Sequence, residues 1–198
     1  MIFLTTGLAA PSQGKSADSA ITGKAYAFSV KTPDGWRRNK LLALIWYRAD
    51  AVFIPRLRQR GQHAPLATIR AVPRVNADAG RDLAADMGKY GKIYPPAIFT
   101  DFEAGNPRYL VHRRLYELKR VHYRYAAFID PGKQYRHLLV AMLDKDDAPA
   151  TASELNGFRR IVESLEYLGD IPAVSGGSGS AGSPAGPKTG RKSLGRDR

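Results

Sequence analysis

Four histidines, His63, His112, His122 and His137, are the first residues to weigh for chemistry. Imidazole alone titrates near neutral pH without perturbation, and it is the commonest metal ligand. No two of these histidines stand four apart, and none has a carboxylate at ligand spacing on its own predicted element. His112 and His122 fall on neighbouring predicted strands, where they could approach each other. The expectation is imidazoles hydrogen-bonded to a sheet, without a converging site. Asp144, Asp146 and Asp147 form a short acidic run, but a calcium loop needs Gly at its sixth position and Glu at its twelfth, and Ala148-Pro149 breaks that pattern. These acids are expected in a solvated turn ahead of the last helix, where negative charge suits the helix dipole. The chain has no cysteine, which excludes disulfides, thiolate metal sites and cysteine nucleophiles. H-E-x-x-H, the phosphate-binding P-loop and G-x-S-x-G are all absent. Gly177-Ser-Gly179-Ser-Ala-Gly182 fits G-x-G-x-x-G, but no strand precedes it and no amphipathic helix follows, so the pyrophosphate would meet no helix end. No enzyme activity and no cofactor are expected.

Positive charge is the stronger signal. Thirty-one Lys and Arg against 18 Asp and Glu leave +13, a balance that favours anionic partners. The segment from Pro55 carries Arg56, Arg58, Arg60 and His63 with no packing duty evident from the pattern. Further on, Arg113, Arg114 and Arg124 are interleaved with Tyr109, Tyr116, Tyr123 and Tyr125. Such a face could bind phosphates and stack bases, or could be an ordinary solvated sheet face with aromatics favoured by strand propensity. No recognised nucleic-acid motif accompanies it, so nucleic acid is not the expected partner. Arg56, Arg58, Arg60, His63, Arg113, Arg114 and Arg124 are the candidate contacts for a protein or other acidic partner.

The elements that must position these residues follow from periodicity. Tyr26, Phe28 and Val30 alternate with smaller or polar neighbours, and Pro33-Asp34-Gly35 supplies turn chemistry before Trp36, a core anchor. Leu41–Tyr47 is a near-continuous apolar run with aromatics, the pattern of a strand buried on both faces. Ala67–Val75 reads as a strand, with Pro73 marking its end or an edge. Leu83, Met87 and Tyr90 share a helical face, though Gly88 and Gly91 argue for a short helix. A four-strand meander follows over Ala97–Glu103, Arg108–Leu118, His122–Ile129 and Tyr135–Leu143. The last of these is apolar on both faces and should be central. Leu155, Phe158, Ile161, Val162, Leu165 and Leu168 then form one stripe, with a capping box at Thr151 and Glu154 and Gly169 as its stop. The order predicts an α+β fold: an α/β/α sandwich with a mainly antiparallel twisted sheet, a central short helix and a C-terminal amphipathic helix.

Phe28-Ser-Val-Lys-Thr-Pro-Asp-Gly-Trp36, the central helix, the meander, Asp130-Pro-Gly-Lys-Gln-Tyr135 and the Glu154–Leu165 helix together resemble the PsbP-like superfamily. That group includes the PsbP subunit of photosystem II, a Ran-binding import factor and bacterial DcrB-type proteins. The resemblance covers about residues 26–168. It implies an α/β/α sandwich that acts by binding proteins, without general enzymatic activity. The basic loop and the Arg-rich meander strand belong to no pattern of the family, which leaves the partner open.

Three regions result. Residues 1–24 are either a signal-like segment or a flexible N-terminus: Ile2, Phe3, Leu4 and Leu8 resemble an apolar signal core, with Gly7 and Ala9 as small residues at a cleavage site, but without a basic start. Residues 25–170 form the α+β domain. Residues 171–198 are a basic Gly/Ser/Pro tail in which Lys188, Arg191, Lys192, Arg196 and Arg198 face only Asp197, a composition that cannot offset the entropy of ordering. No run approaches the ~20 apolar residues of a membrane span. The expected role is a non-catalytic binding or scaffold protein exported from a bacterial cell, periplasmic or secreted. The alternative is a cytoplasmic chaperone or adaptor of the same fold.

Overall fold

The computed structural model describes residues 18–56 and 63–171. Arg58, Arg60, the signal-like run at Met1–Ala10 and the tail from Ser175 lie outside the described residues. Within them the chain is a mixed α+β structure in which each strand ladder is antiparallel. Strands β1 (Asp18–Thr22) and β2 (Tyr26–Lys31) pair with β10 (Glu166–Asp170) in a three-stranded sheet. A seven-stranded sheet contains β3 (Trp36–Arg38), β4 (Ala51–Pro55), β5 (Leu66–Pro73), β9 (His137–Asp146), β8 (His122–Asp130), β7 (Leu110–Leu118) and β6 (Ala97–Thr100), in that spatial order. Strand β9 is the middle strand, as its apolar Leu-Leu-Val-Ala-Met-Leu run requires.

Alternation sends the residues of this sheet into two separate clusters. Ile69, Tyr125, Ala127, Ile129, Leu139, Ala141 and Leu143 pack with Phe28 and Val30 of β2, with Trp36, and with Phe158, Ile161 and Val162 of α3 (Ala152–Ser164). Tyr116, Leu118, Ala126, Phe128, Leu138 and Val140 pack with Ala79 and Leu83 of α2 (Ala79–Ile93), against which Met87 and Tyr90 also rest. The Leu83/Met87/Tyr90 face therefore does what its spacing predicts. Helix α2 is longer than Gly88 and Gly91 suggested, running 15 residues. Its capping by the Asp78 carboxylate, which accepts from the Arg81 amide, and its packed face outweigh the glycine propensity cost.

Two elements differ from the sequence expectation. Leu41–Tyr47 is not a strand: α1 (Lys40–Leu42) runs directly into a π turn over Ala43–Tyr47. The Asn39 side chain caps it by accepting from the Leu42 amide, and Leu42 and Ala43 pack on Val52 and Ile54. Leu and Ala are good helix formers, so a short apolar run of this kind is not decided by hydrophobicity alone. Arg48, in the left-handed region at φ 45°, closes the turn. At the other end, α3 stops at Ser164, and Leu165 and Leu168 leave the helical stripe. Leu165 is extended, and the Asn106 side-chain amide donates to the carbonyls of Val162 (2.7 Å) and Leu165 (2.8 Å), satisfying helix-end acceptors. The chain then adds β10 to β2, burying Tyr167 and exposing Leu168, with a register shift at Gly169 (φ 132°). The capping box at Thr151 and Glu154 forms as predicted, and Glu154 also accepts from the buried Lys145 ammonium at 2.6 Å, tying β9 to the start of α3.

Smaller differences are the confinement of β6 to Ala97–Thr100 and the presence of β1 within the N-terminal segment.

Candidate functional site

The face of the seven-stranded sheet that carries α2 is not fully covered. Between α2 on one side and Tyr47 with the Pro73–Asn76 segment on the other lies an open groove of about 630 Å³. That volume falls in the ordinary range of ligand sites. Its floor is apolar, formed by Val72 of β5, Phe128 of β8, and Val140 and Met142 of β9. These residues share one face because they alternate with the buried residues of the opposite cluster.

One end of the floor is polar and internally paired. Arg124 and Asp144 are direct cross-strand partners in the β8–β9 ladder. The guanidinium donates Nε to Oδ1 at 2.6 Å and Nη2 to Oδ2 at 3.2 Å, a bidentate fork. It also donates to the Tyr90 hydroxyl, and its centre stands 4.8 Å from the centroid of that ring. Burial works against the Arg124 charge, but Asp144 and Tyr90 outweigh it and raise the guanidinium pKa. Burial likewise opposes the Asp144 charge, and His122 and Arg124 overcome it, holding the carboxyl below its usual range. His122 lies between two acids, with Nε2 3.3 Å from Asp144 and Nδ1 2.5 Å from Asp146. The Asp144 contact leads in raising its pKa against the opposing effect of burial, and Asp146 adds to it. Deeper under α2 the Tyr116 hydroxyl donates to Asp86 at 2.8 Å, and burial followed by the Asp86 charge pushes that phenol up.

Two cations of the groove remain uncommitted to acids. Arg70 donates only to the Tyr47 carbonyl, and exposed Lys89 has no ion-pair partner among the described residues. Thr68, Asn76, Asp82 and Asp86 also line the groove; no histidine, serine or glutamate does. Among the described residues no group of three His, Asp or Glu side chains converges to hold a metal ion.

Of the residues singled out from sequence, the described ones do not form one patch. Arg124 is in the groove. Arg113 and Arg114 project to opposite faces of β7: Arg113 donates to the Phe102 carbonyl at 2.5 Å, and Arg114 pairs with Asp101. Arg56 donates Nε to the Trp36 carbonyl at 3.0 Å. His63 stands 3.0 Å from Asp147 and lines a second cavity of about 340 Å³ with Trp36, Glu154 and Arg160. His112 and His122 lie towards opposite ends of the β7–β8 ladder, opposite Phe128 and Leu118, so they do not meet. The acidic run is not a solvated turn throughout: Asp144 and Asp146 belong to β9, and Asp144 is half-buried against Arg124. Tyr90, Lys89 and Asp144 were missed as groove residues. The available signal was registration: once β8 and β9 pair through Pro131-Gly132, Arg124 and Asp144 stand opposite each other.

Among the described residues no helix is long and apolar enough to cross a membrane. No protein-family model matches the chain, and no curated protein matches its sequence.

Proposed function

We propose that this protein is a non-catalytic binding module of the PsbP-like kind, an α/β/α sandwich in which the three-stranded sheet and α3 form one outer layer and α2 the other. Its groove receives a segment of a protein partner: apolar side chains on the Val72/Phe128/Val140/Met142 floor, and an acidic residue towards Arg70 and Lys89. One observation carries this reading. The ion pair on the groove floor, Arg124 with Asp144, is internally committed, which leaves the apolar floor as contact area, with Arg70 and Lys89 as cations at its rim and the hydrogen-bonded Asp82 and Asp86 on the α2 side. Export from a bacterial cell belongs to the same reading and rests on the Met1–Ala10 pattern; mass spectrometry of the mature N-terminus reads it directly.

The test is selection of displayed peptides on the full chain, with rescreening on Ala85→Trp. Ala85 is exposed on α2 and lines the groove, so the indole fills the site without disturbing the core. Selected peptides should combine apolar residues with an acid, and should bind Ala85→Trp and Lys89→Glu at least about tenfold more weakly. Peptides that bind all three proteins equally, or a selection with no groove-dependent sequence, would overturn the assignment.

A further inference from the structure

The run expected to be a buried strand presents apolar side chains in two directions. Leu42 and Ala43 face inward onto Val52 and Ile54. Leu41, Leu44 and Ile45, at i, i+3 and i+4, share the outer face and are 65%, 78% and 60% exposed. Isolated exposed apolar residues need no explanation, but three on one short helical face, in a chain of this charge, do. The stretch of sequence that carries them is one-signed. Between Asp34 and Asp50 the sequence holds Arg37, Arg38, Lys40 and Arg48 and no acid. Arg37, Lys40 and Arg48 are exposed and have no ion-pair partner among the described residues. The nearest following acid, Asp50, is turned to other work, accepting from the Tyr26 hydroxyl at 2.5 Å and the Ala71 amide at 2.7 Å.

We infer that this α1–π-turn surface docks onto an anionic lipid bilayer, with Leu41, Leu44 and Ile45 entering the interface and Arg37, Lys40 and Arg48 meeting lipid phosphates. An apolar face flanked by Lys and Arg is the pattern of segments that lie in the headgroup boundary. A second copy of the chain fits less well. A two-fold contact places the same patch against itself, so the cations at each rim would face their own kind, and the stretch between Asp34 and Asp50 supplies no acid to pair them. The inference does not rest on the groove reading. It concerns the outer face of the α1–π-turn element, of which only Tyr47 borders the groove, and the two respond to different variants.

The experiment is co-sedimentation of the full chain with vesicles of phosphatidylcholine alone, or of equal parts phosphatidylcholine and phosphatidylglycerol. The protein should pellet with the mixed vesicles and not with phosphatidylcholine. Leu44→Ser with Ile45→Ser keeps every charge, including those of the tail, and should melt like the wild type because both side chains are solvent-exposed. It should nonetheless partition at least about tenfold less. Arg37→Gln with Lys40→Gln should lose roughly fivefold per cation removed. Ala85→Trp should bind vesicles like the wild type, so failure of the groove reading leaves this result standing. Equal partition of the serine variant and the wild type would overturn the inference. So would vesicle-free self-association, or capture of polyglutamate, that the same serine pair abolishes, since the patch would then belong to a protein partner.

Discussion

Gly157→Ala should destabilise the protein, although helix propensity alone says the opposite. Gly157 is buried in the middle of α3, where replacing glycine by alanine normally gains about 1 kcal/mol. Here α3 crosses β3 so closely that a Cβ on Gly157 would stand 2.0 Å from Nε1 and 2.6 Å from Cε2 of Trp36. The indole is only 4% exposed and packed within the larger cluster, so moving it disturbs buried neighbours, unlike the shift of an exposed chain end. Restoring ordinary contact requires the ring or the helix to move by more than an ångström. Overpacking of this kind costs up to about 3 kcal/mol, so a net loss of about 2 kcal/mol remains after the propensity gain.

Gly88 provides the internal control. It lies on the exposed face of α2 and a Cβ there meets nothing within 4 Å, so Gly88→Ala should gain about 1 kcal/mol. In urea denaturation, with a slope of about 2 kcal/mol/M, the two midpoints should move in opposite directions, down by about 1 M for Gly157→Ala and up by about 0.5 M for Gly88→Ala. Trp36→Leu lowers stability by itself but clears the space, so Gly157→Ala on that background should become neutral or favourable, a coupling read from the double-mutant cycle. A Gly157→Ala midpoint at or above the wild type would refute the close approach of α3 to Trp36.

Phe158→Ala should cost about 3–5 kcal/mol, because the ring is fully buried between α3 and the seven-stranded sheet; a melt unchanged from wild type would contradict that packing. Arg124→Met leaves Asp144 without its forked donor, and since both groups retain some solvent contact the expected loss is about 2 kcal/mol, checked by chemical denaturation. His122 has a raised folded pKa, so its pairing stabilises the fold fully below the ordinary imidazole value and is lost as pH rises through the raised one. Asp144 has a lowered pKa, so its contribution holds above the usual carboxylate range and disappears as pH falls through the lowered value. Stability measured against pH should therefore fall at both ends, and His122→Asn should remove the alkaline step.

What the sequence revealed depended on whether one element could be read by itself. Tyr26, Phe28 and Val30 alternate cleanly and form β2. Thr151 and Glu154 are three apart and form the cap they predict, and the Leu-Leu-Val-Ala-Met-Leu run marks the middle strand. The end of α3 was not legible in that way. Leu165 and Leu168 continue the helical stripe in spacing, but the helix is stopped by Asn106, nearly sixty residues away, and by the hydrogen bonds β2 offers to β10. The Arg124–Asp144 pair needed two strands in register before either residue acquired a partner, so each looked like an ordinary surface charge.

The Leu41–Tyr47 run shows why hydrophobicity reports on burial only through geometry. Seven apolar residues in a row fit a strand buried on both faces, and they equally fit a short helix with one face on the core and one face free. Only the placement of Val52 and Ile54 beneath Leu42 and Ala43 decides between them. Once it is decided, the outer side chains change meaning. Leu41, Leu44 and Ile45 add nothing to the core, and leaving them in water forgoes the burial that would stabilise any of them by roughly 1.5–3 kcal/mol. A surface that retains such residues beside Arg37, Lys40 and Arg48, which have no ion-pair partner among the described residues, is fitted to an environment both apolar and anionic. The Pro55–His63 stretch of sequence, singled out for its charge alone, has no comparable apolar component: Leu57 is its one large aliphatic residue before His63. Charge attracts at a distance but is screened within about 8 Å at physiological salt. The α1–π-turn surface couples charge to apolar area that is not screened, and for that reason vesicle binding should survive added salt better in the wild type than in Leu44→Ser with Ile45→Ser. Identical salt sensitivity of the two proteins would mean that charge alone holds the membrane and that the exposed leucine and isoleucine contribute nothing.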